Sequence, residues 1–301
     1  MDQGLLVFVT VVEKANFTRA AEALNMTQPA VSQYIQALER SMGSKLLERS
    51  NKFVRLNKAG EIVYQHAKGI LVEYDRMRRL VDDLQNLAGG PLTIGASYTF
   101  GEYILPHIIA GLHKAFPLIK PSITIGNTQE IGNLILNRRL DVGIVEGELT
   151  SEQLAIEPVA NDLMYIVSSP QHALAQRETV TDSKLKEATW IIREVGSGTR
   201  EAADKMFAAF QWYPEKVMEF GSTQIIKEAV EAGLGISLLS QWVIRKELSI
   251  RRVKLLKCVN TPVRREFSLV TPAATLHTKA AQVFIHTVRE YKNRLDGEFP
   301  V

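Results

Sequence analysis

Thr27-Gln28-Pro29-Ala30-Val31-Ser32-Gln33-Tyr34-Ile35-Gln36-Ala37-Leu38-Glu39 is the stretch that decides the fold. Thr27 can cap a helix with its side-chain oxygen, and Pro29 sits in a first turn, where a missing N–H costs nothing. The helix should end at Gly43. Ala30, Val31, Tyr34, Ile35 and Leu38 recur at helical spacing as a buried stripe, leaving Gln28, Ser32, Gln33 and Gln36 on the opposite, uncharged polar side.

On the N-terminal side, Leu5, Leu6, Phe8, Val9 and Val12 predict an amphipathic helix ending near Lys14 to Asn16. Thr18 is the expected cap of a short helix, Arg19 to Leu24, whose alanines permit close approach; Asn25-Met26 makes the turn. A short helix, a tight turn and a helix that opens with Gln and Ser suit the reading of base edges in a major groove. A generic helical hairpin would show the same periodicity, so the next segment matters. Leu46 to Arg49, Ser50-Asn51-Lys52 and Phe53 to Leu56 read as strand, turn, strand, placing Arg49, Lys52 and Arg55 on a hairpin beside the helices. Lys45 to Lys58 holds five basic residues and one acid, Glu48, and residues 1–60 hold eight Lys/Arg against five Asp/Glu. A solvated face could carry such a run, but a basic hairpin at this place is a wing suited to phosphate contact.

Phe17-Thr-Arg-Ala-Ala-Glu-Ala-Leu24, Thr27-Gln-Pro-Ala-Val-Ser32, Ile35, Leu38-Glu39, Gly43, Leu46-Leu-Glu-Arg49 and Leu56-Asn-Lys-Ala-Gly60 together resemble the LysR-type transcriptional regulator family across the whole N-terminal domain. Two residues depart from the family's pattern: Leu47 replaces a usual phenylalanine, and Asn57 a usual threonine that it can still match as an N-cap. The resemblance implies base and phosphate contacts at Thr27, Gln28, Pro29, Ser32 and Gln33 and at Arg49 and Arg55 of the wing; Lys52 joins them from the hairpin reading.

From Lys58 to Leu87 no proline interrupts a helical stretch of about 45 Å at 1.5 Å per residue. Val63, Ile70, Met77 and Leu84 are spaced by seven, with Ala67, Tyr74 and Val81 between them and Leu80 and Leu87 alongside. Glu73, Asp75, Arg76, Arg79, Asp82 and Asp83 form a charged outer face. Such a seam predicts a homodimer, which matches a site of two half-sites. Ala88-Gly89-Gly90-Pro91 should end the helix as a hinge.

Beyond Pro91, short apolar strands alternate with amphipathic helices. The strands are Leu92 to Ala96, Ser122 to Gly126 and Leu140 to Val145, then Trp190 to Arg193, Val217 to Phe220 and Gly235 to Leu239. That rhythm predicts two α/β lobes, with Leu163 to Ser168 and Phe267 to Thr271 crossing between them and a last helix from His277 returning to the first lobe. This half resembles the periplasmic-binding-protein-like effector domain of the same family. The expected fold class is therefore α/β: a winged helix-turn-helix (residues 1–58), a linker helix (59–88) and a two-lobed effector domain (89–301). Lobe I would span about 91–162 and 268–301, and lobe II about 163–267.

Small ligands collect at the carboxyl ends of such strands, where helix N-termini offer free N–H groups. Ser97, Tyr98 and Thr99, Asn127 and Thr128, Ser197, Thr199 and Arg200, and Ser222 and Thr223 occupy four such points. The loop Gly196-Ser197-Gly198-Thr199-Arg200 predicts a small anionic effector, although Arg200 could instead pair with a neighbouring acid. Arg193-Glu194-Val195 and this loop look similar to the branch of the family that controls sulfur assimilation and carbon dioxide fixation.

Other classes are disfavoured. No run of eighteen apolar residues suits a membrane, and the N-terminus lacks a secretory pattern, so a cytoplasmic protein is expected. One cysteine, Cys258, read as a plain strand residue, builds neither a disulfide nor a zinc site, and six scattered histidines show no metal spacing. No G-x-S-x-G, G-x-G-x-x-G or P-loop pattern in context supports an enzyme or a bound cofactor. Promoter DNA and a second copy are the expected partners; the family resemblance suggests a tetramer and admits RNA polymerase. The rivals are a solute-receptor-like binding protein and an architectural DNA protein without a ligand.

Overall fold

The computed structural model describes residues 3–49, 53–83, 88–273 and 275–295, and the chain divides into two compact units, residues 1–85 and 86–301.

In the first unit α1 (Gln3–Lys14), α2 (Phe17–Ala23) and α3 (Gln28–Ser41) enclose Val7, Phe8, Val11, Ala20, Val31 and Ile35. The cap of α2 is Asn16 rather than Thr18: Asn16 holds an extended backbone and its Oδ1 accepts from the Arg19 N–H at 3.0 Å, while Thr18 already lies inside the helix. Thr27 caps α3 as expected, accepting from the Ala30 N–H. Tyr34, expected in the buried stripe, is exposed, because the core closes over Val31, Ile35 and Leu38 and the stripe turns toward Glu39. The buried Glu39 carboxylate accepts from the N–H groups of Leu46 (3.0 Å) and Leu47 (3.4 Å) and from Lys45 Nζ (3.1 Å), tying α3 to the hairpin.

The hairpin pairs β1 (Leu47–Arg49) with β2 (Val54–Leu56), setting Leu47 opposite Leu56 and Glu48 opposite Arg55. Asn57 then caps α4 (Lys58–Asp82), accepting from the Gly60 N–H at 2.8 Å. A Cβ on Gly60 would lie 2.0 Å from the Leu46 carbonyl oxygen, so only glycine lets α4 start against the hairpin.

The heptad seam expected along α4 divides. Val63 and Ala67, with Tyr64 and Leu71, pack into the core of this unit, whereas Ile70 and Met77 are 55% and 52% exposed and Val81 is exposed as well. The domain recruits the first turns of α4 because α1 and β2 leave apolar side chains that the helix covers. Arg76, expected on the charged face, is buried beside Glu73 at 3.5 Å. Leu84 and Leu87 lie outside the described residues.

The second unit is built on one seven-stranded sheet in the order β10 (Lys254–Leu255), β6 (Leu154–Ser168), β11 (Val263–Pro272), β5 (Val142–Glu146), β3 (Gly90–Ser97), β4 (Ile119–Gly126), with β9 (Ser237–Ser240) also on β6. β3 is parallel to β4 and β5, whereas β11 is antiparallel to both β5 and β6. Gly90 and Pro91, expected in a hinge, belong to β3 and stand opposite Ile119 and Lys120, so the ladder fixes them.

The long strands β6 and β11 run through both lobes, as the crossing segments predict, but β6 begins at Leu154 and has 15 residues. Lobe I buries Leu92, Ile94, Phe100, Ile144 and Phe284 beneath α5 (Tyr98–Tyr103), α6 (Leu105–Ala115) and α12 (Lys279–Leu295). On its other side α7 (Thr128–Leu136) closes over Leu140 and Val145. In lobe II, β7 (Thr189–Arg193) is parallel to β8 (Lys216–Phe220), and a bridge from Trp190 to Ile236 joins β7 to the segment that enters β9. Helices α8 (Asp182–Glu187), α9 (Gly198–Ala209), α10 (Thr223–Glu231) and α11 (Gln241–Ser249) cover it. Cys258, expected in a strand, lies in the loop after β10, because only Lys254 and Leu255 pair there before the chain turns. No described helix is long and apolar enough to cross a membrane.

Candidate functional site

Two surfaces collect the chemistry-bearing residues, one in each unit. In the first, Thr27, Gln28, Pro29 and Gln33 are exposed on the N-terminal half of α3, and Ser32 is half-buried. Gln28 Nε2 donates to Ser32 Oγ at 2.9 Å, which holds the amide along the helix and leaves its carbonyl oxygen out of that bond. Thr27 uses its hydroxyl oxygen as a helix cap, so it positions the helix as well as facing outward. On the wing Arg55 is exposed, its guanidinium 5.1 Å from the Phe53 ring centre. Arg49 ends β1, Lys52 lies outside the described residues, and the side chain of Arg49 does as well. The Gln28 carbonyl can accept from a base edge, and the Arg55 guanidinium can meet a phosphate.

In the second unit the carboxyl ends of β3, β4, β7 and β8 converge with that of β5. Ser97, Thr99, Thr128, Ser197, Thr199 and Thr223, from four separate loops, are all buried where the lobes meet. Two guanidinium groups hold three of them, Thr99, Thr199 and Thr223, and neither arginine was among the expected site residues.

Arg265, on β11, is buried with Glu146 and Asp162. Its Nη1 lies 2.7 Å from Glu146 Oε2 and its Nε 2.7 Å from Asp162 Oδ2. Nη1 also donates to Thr199 Oγ1 of lobe II (2.9 Å), and Nη2 to Thr99 Oγ1 of lobe I (3.0 Å). Glu146 further accepts from the Phe100 N–H at 3.1 Å, and Asp162 from Ser240 Oγ at 2.6 Å. Burial pushes the Asp162 carboxyl up while the Arg265 charge opposes it. Thr99 and Thr199 therefore serve first as acceptors for a crossover residue, and this network fastens both lobes to the strands between them.

Arg193, at the end of β7, is 1% exposed; its Nε and Nη2 each donate to one oxygen of Glu194 at 2.7 Å. Nη1 donates to Thr223 Oγ1 at 2.9 Å, and the guanidinium lies 4.3 Å from the Tyr98 ring centre. Glu194 Oε1 also accepts from Asn127 Nδ2 at 3.3 Å. Burial works against a charged Glu194, yet the Arg193 fork and the Asn127 amide hold its carboxyl below the usual carboxylate range. Asn127 and Tyr98 come from lobe I, Arg193, Glu194 and Thr223 from lobe II.

Other contacts close the lobes at the same level. The Gln129 N–H donates to the Gly196 carbonyl at 3.2 Å, and the Glu148 N–H to Glu201 Oε2 at 2.9 Å. A Cβ on Gly198 would stand 2.0 Å from the Glu146 carbonyl oxygen, so that glycine is what lets α9 approach β5. A cavity of about 540 Å3 opens beside these contacts, lined by Thr128, Gln129 and Leu149 on one side and by Val195, Gly196 and Ser197 on the other.

The expected residues thus sort into three groups. Thr128 and Ser197 line the cavity; Tyr98, Thr99, Asn127, Thr199 and Thr223 belong to the two arginine networks; Ser97 and the half-buried Ser222 lie at helix starts. Arg200 lines the cavity too, but its guanidinium is held by Asp204 at 2.9 Å and Glu219 at 2.8 Å, the acid pairing that was the alternative to an anion contact. Arg193 was visible in the sequence as the end of a strand, and with Glu194 as part of the stretch that carries the branch resemblance, but neither as a site residue. Arg265 sits in a polar run, Arg264-Arg265-Glu266, that carries no periodic signal at all.

The chain matches the model of the lysR-family bacterial regulatory helix-turn-helix protein over residues 3–61 and that of the LysR substrate binding domain over residues 85–293. It is 37% identical to the HTH-type transcriptional regulator CysL of Bacillus subtilis, covering 97% of this chain and 98% of that one. It is 30% identical to a probable RuBisCO transcriptional regulator of Synechocystis, covering 96% of this chain and 85% of that one, in keeping with the expected branch. The regulatory domain of CcmR from Synechocystis PCC6803, solved with 2-PG, matches with a TM-score of 0.64 at 25% identity, over 69% of this chain and 100% of that domain. With both family models in the expected order and a relative 37% identical over 97% of the chain, the chain belongs to the LysR family of helix-turn-helix transcription regulators.

Proposed function

We propose that this regulator reads promoter DNA with α3 and the wing, as a dimer joined through α4, and that a small anionic metabolite between the lobes of residues 86–301 controls it. The observation that carries the ligand reading is the convergence of six buried hydroxyl residues on one interlobe level with the buried Arg193, whose fork already holds a carboxylate, next to the 540 Å3 cavity. Buried guanidinium groups and hydroxyls recognise oxyanions, and a cleft between lobes encloses a small ligand. The CcmR domain, a relative in fold, binds 2-PG, which supports a small-molecule ligand for the same domain here.

On the DNA side, the exposed Gln28, Gln33 and Arg55 supply the contacts, with Thr27, Pro29 and Ser32 setting the helix; Arg49 and Lys52 are further contacts on the sequence pattern alone. The exposed Ile70, Met77 and Val81 support self-association along α4. Pairing of dimers into a tetramer, contact with RNA polymerase and action in the cytoplasm follow the family pattern. Thermal unfolding of the full chain across a panel of anionic and neutral metabolites, repeated on promoter DNA by footprinting, tests the reading. An anion should raise the melting temperature and alter the footprint; a response to neutral compounds alone defeats the anion assignment.

A further inference from the structure

The anion seat at Arg193 is already occupied by the chain itself. Adjacent residues in a strand point to opposite faces, so neighbours do not ordinarily share a guanidinium fork. Here β7 stops at Arg193, and Glu194 opens the loop through Val195 and Gly196, where Gly196 has φ +90° and the Ser197 N–H donates to the Glu194 carbonyl at 3.3 Å. That turn brings both Glu194 oxygens onto the Arg193 fork at 2.7 Å and one of them onto the Asn127 amide of lobe I.

We propose that the Glu194 carboxylate is a built-in competitor for the effector: a small oxyanion presenting two oxygens to the Arg193 fork binds by displacing it. This inference rests on the reading of the interlobe cleft as the effector site. Three observations support it. First, the exposures are unequal, since the Arg193 side chain is 1% exposed and that of Glu194 25%; the acid can swing to water from a loop, and the base, on a strand, cannot. Secondly, the other direct partners of Arg193, the Thr223 hydroxyl and the Tyr98 ring, carry no charge, and Glu102 feels the Arg193 charge without touching its fork, so departure of Glu194 leaves a buried guanidinium fork open to a second anion. Thirdly, the cavity is lined by Val195, Gly196 and Ser197, the residues that follow Glu194, so there is space beside the loop that would move.

The displacement also has a structural consequence. Glu194 is held by both lobes through Arg193 and Asn127, so the free protein keeps the lobes together with its own carboxylate. A ligand in that seat exchanges an internal bridge for an external one and frees the Glu194 loop, which alters the rim of the cleft without opening it.

The test uses the full chain, with sulfate and inorganic phosphate as probes and chloride at equal ionic strength as the reference. Glu194→Gln should lower the melting temperature in chloride, because Arg193 loses its counter-charge. Sulfate or phosphate should restore it, and calorimetry should show the variant binding one of them roughly tenfold tighter than the unaltered protein. Adding Arg193→Lys, which keeps the charge but removes the fork, should abolish that gain. Should Glu194→Gln not fold, Glu194→Asp, whose carboxylate is too short to span the fork, should show the same direction. Equal binding by the variant and the unaltered protein, no binding by the variant, or a gain that survives Arg193→Lys overturns the inference. An anionic metabolite that acts equally on the unaltered protein and Glu194→Gln leaves the cleft reading standing and removes only Glu194. A gain for sulfate in the variant, with no metabolite response in the unaltered protein, does the reverse.

Discussion

Arg265 on β11 and Asp162 on β6 meet at 2.7 Å inside the two strands that join the lobes, with side chains 3% and 0% exposed. With Glu146 as the third member, one buried cation faces two buried carboxylates. Breaking such a group is costly because the remaining charges lose their counter-ion in a low-dielectric interior.

Arg265→Met should therefore destabilise the second unit by about 3–5 kcal/mol. Trp190, Trp212 and Trp242 all lie in residues 86–301, so the urea midpoint read by tryptophan fluorescence reports that unit. Adding Glu146→Gln and Asp162→Asn to Arg265→Met should recover part of the loss. A midpoint unmoved by Arg265→Met alone would show that the two acids are stabilised by something else.

On the DNA-reading face, Gln28→Ala and Arg55→Ala should separate specificity from affinity. The first removes an amide that Ser32 aligns along α3 and should cost about 1–3 kcal/mol of discrimination between sites. The second should weaken all sequences alike and reduce the slope of affinity against salt by about 1. Binding titrations on a promoter fragment and a scrambled duplex at several salt concentrations distinguish them.

Along α4, Ile70→Glu combined with Met77→Glu should give monomers in sedimentation velocity with unchanged helix content, since both side chains are exposed on the single chain. Ala67→Glu, one helical turn from Ile70, should instead unfold the first unit, because Ala67 is 1% exposed within its core. Dimers that persist in the double variant would move the self-association surface elsewhere.

Arg289 of α12 holds Glu157 of β6 through two hydrogen bonds, at 2.9 and 2.6 Å. That hydrogen bonding keeps the Glu157 carboxyl below its usual value in the folded protein, so its stabilisation is present at neutral pH and disappears as pH falls through the folded-state value. Glu157→Gln should cost under about 1 kcal/mol at pH 7, because the pair is solvent-exposed. Denaturation of both proteins at falling pH should show that difference shrink toward zero; a constant difference would assign it to packing.

Local chemistry was enough to read the DNA-binding unit and the strand rhythm of the second. Caps, turns and periodicity act over a few residues, so Thr27, Asn57, the hairpin at 47–56 and most strands of the two lobes stand where the sequence places them. Two of the misplacements came where signals competed: Asn16 took the cap from Thr18, and the core of the first unit drew in Val63 and Ala67. By itself the sequence determined the family, the order of the domains and the four loops that carry hydroxyls to the cleft. Only the tertiary structure decided what those hydroxyls face. Arg265 finds Thr99 at a separation of 166 residues and Asp162 at 103, and Arg193 finds Thr223 at 30. Such pairings depend on strand order and lobe closure, which no local pattern encodes, and they turn a row of plausible ligand contacts into two buried arginine networks.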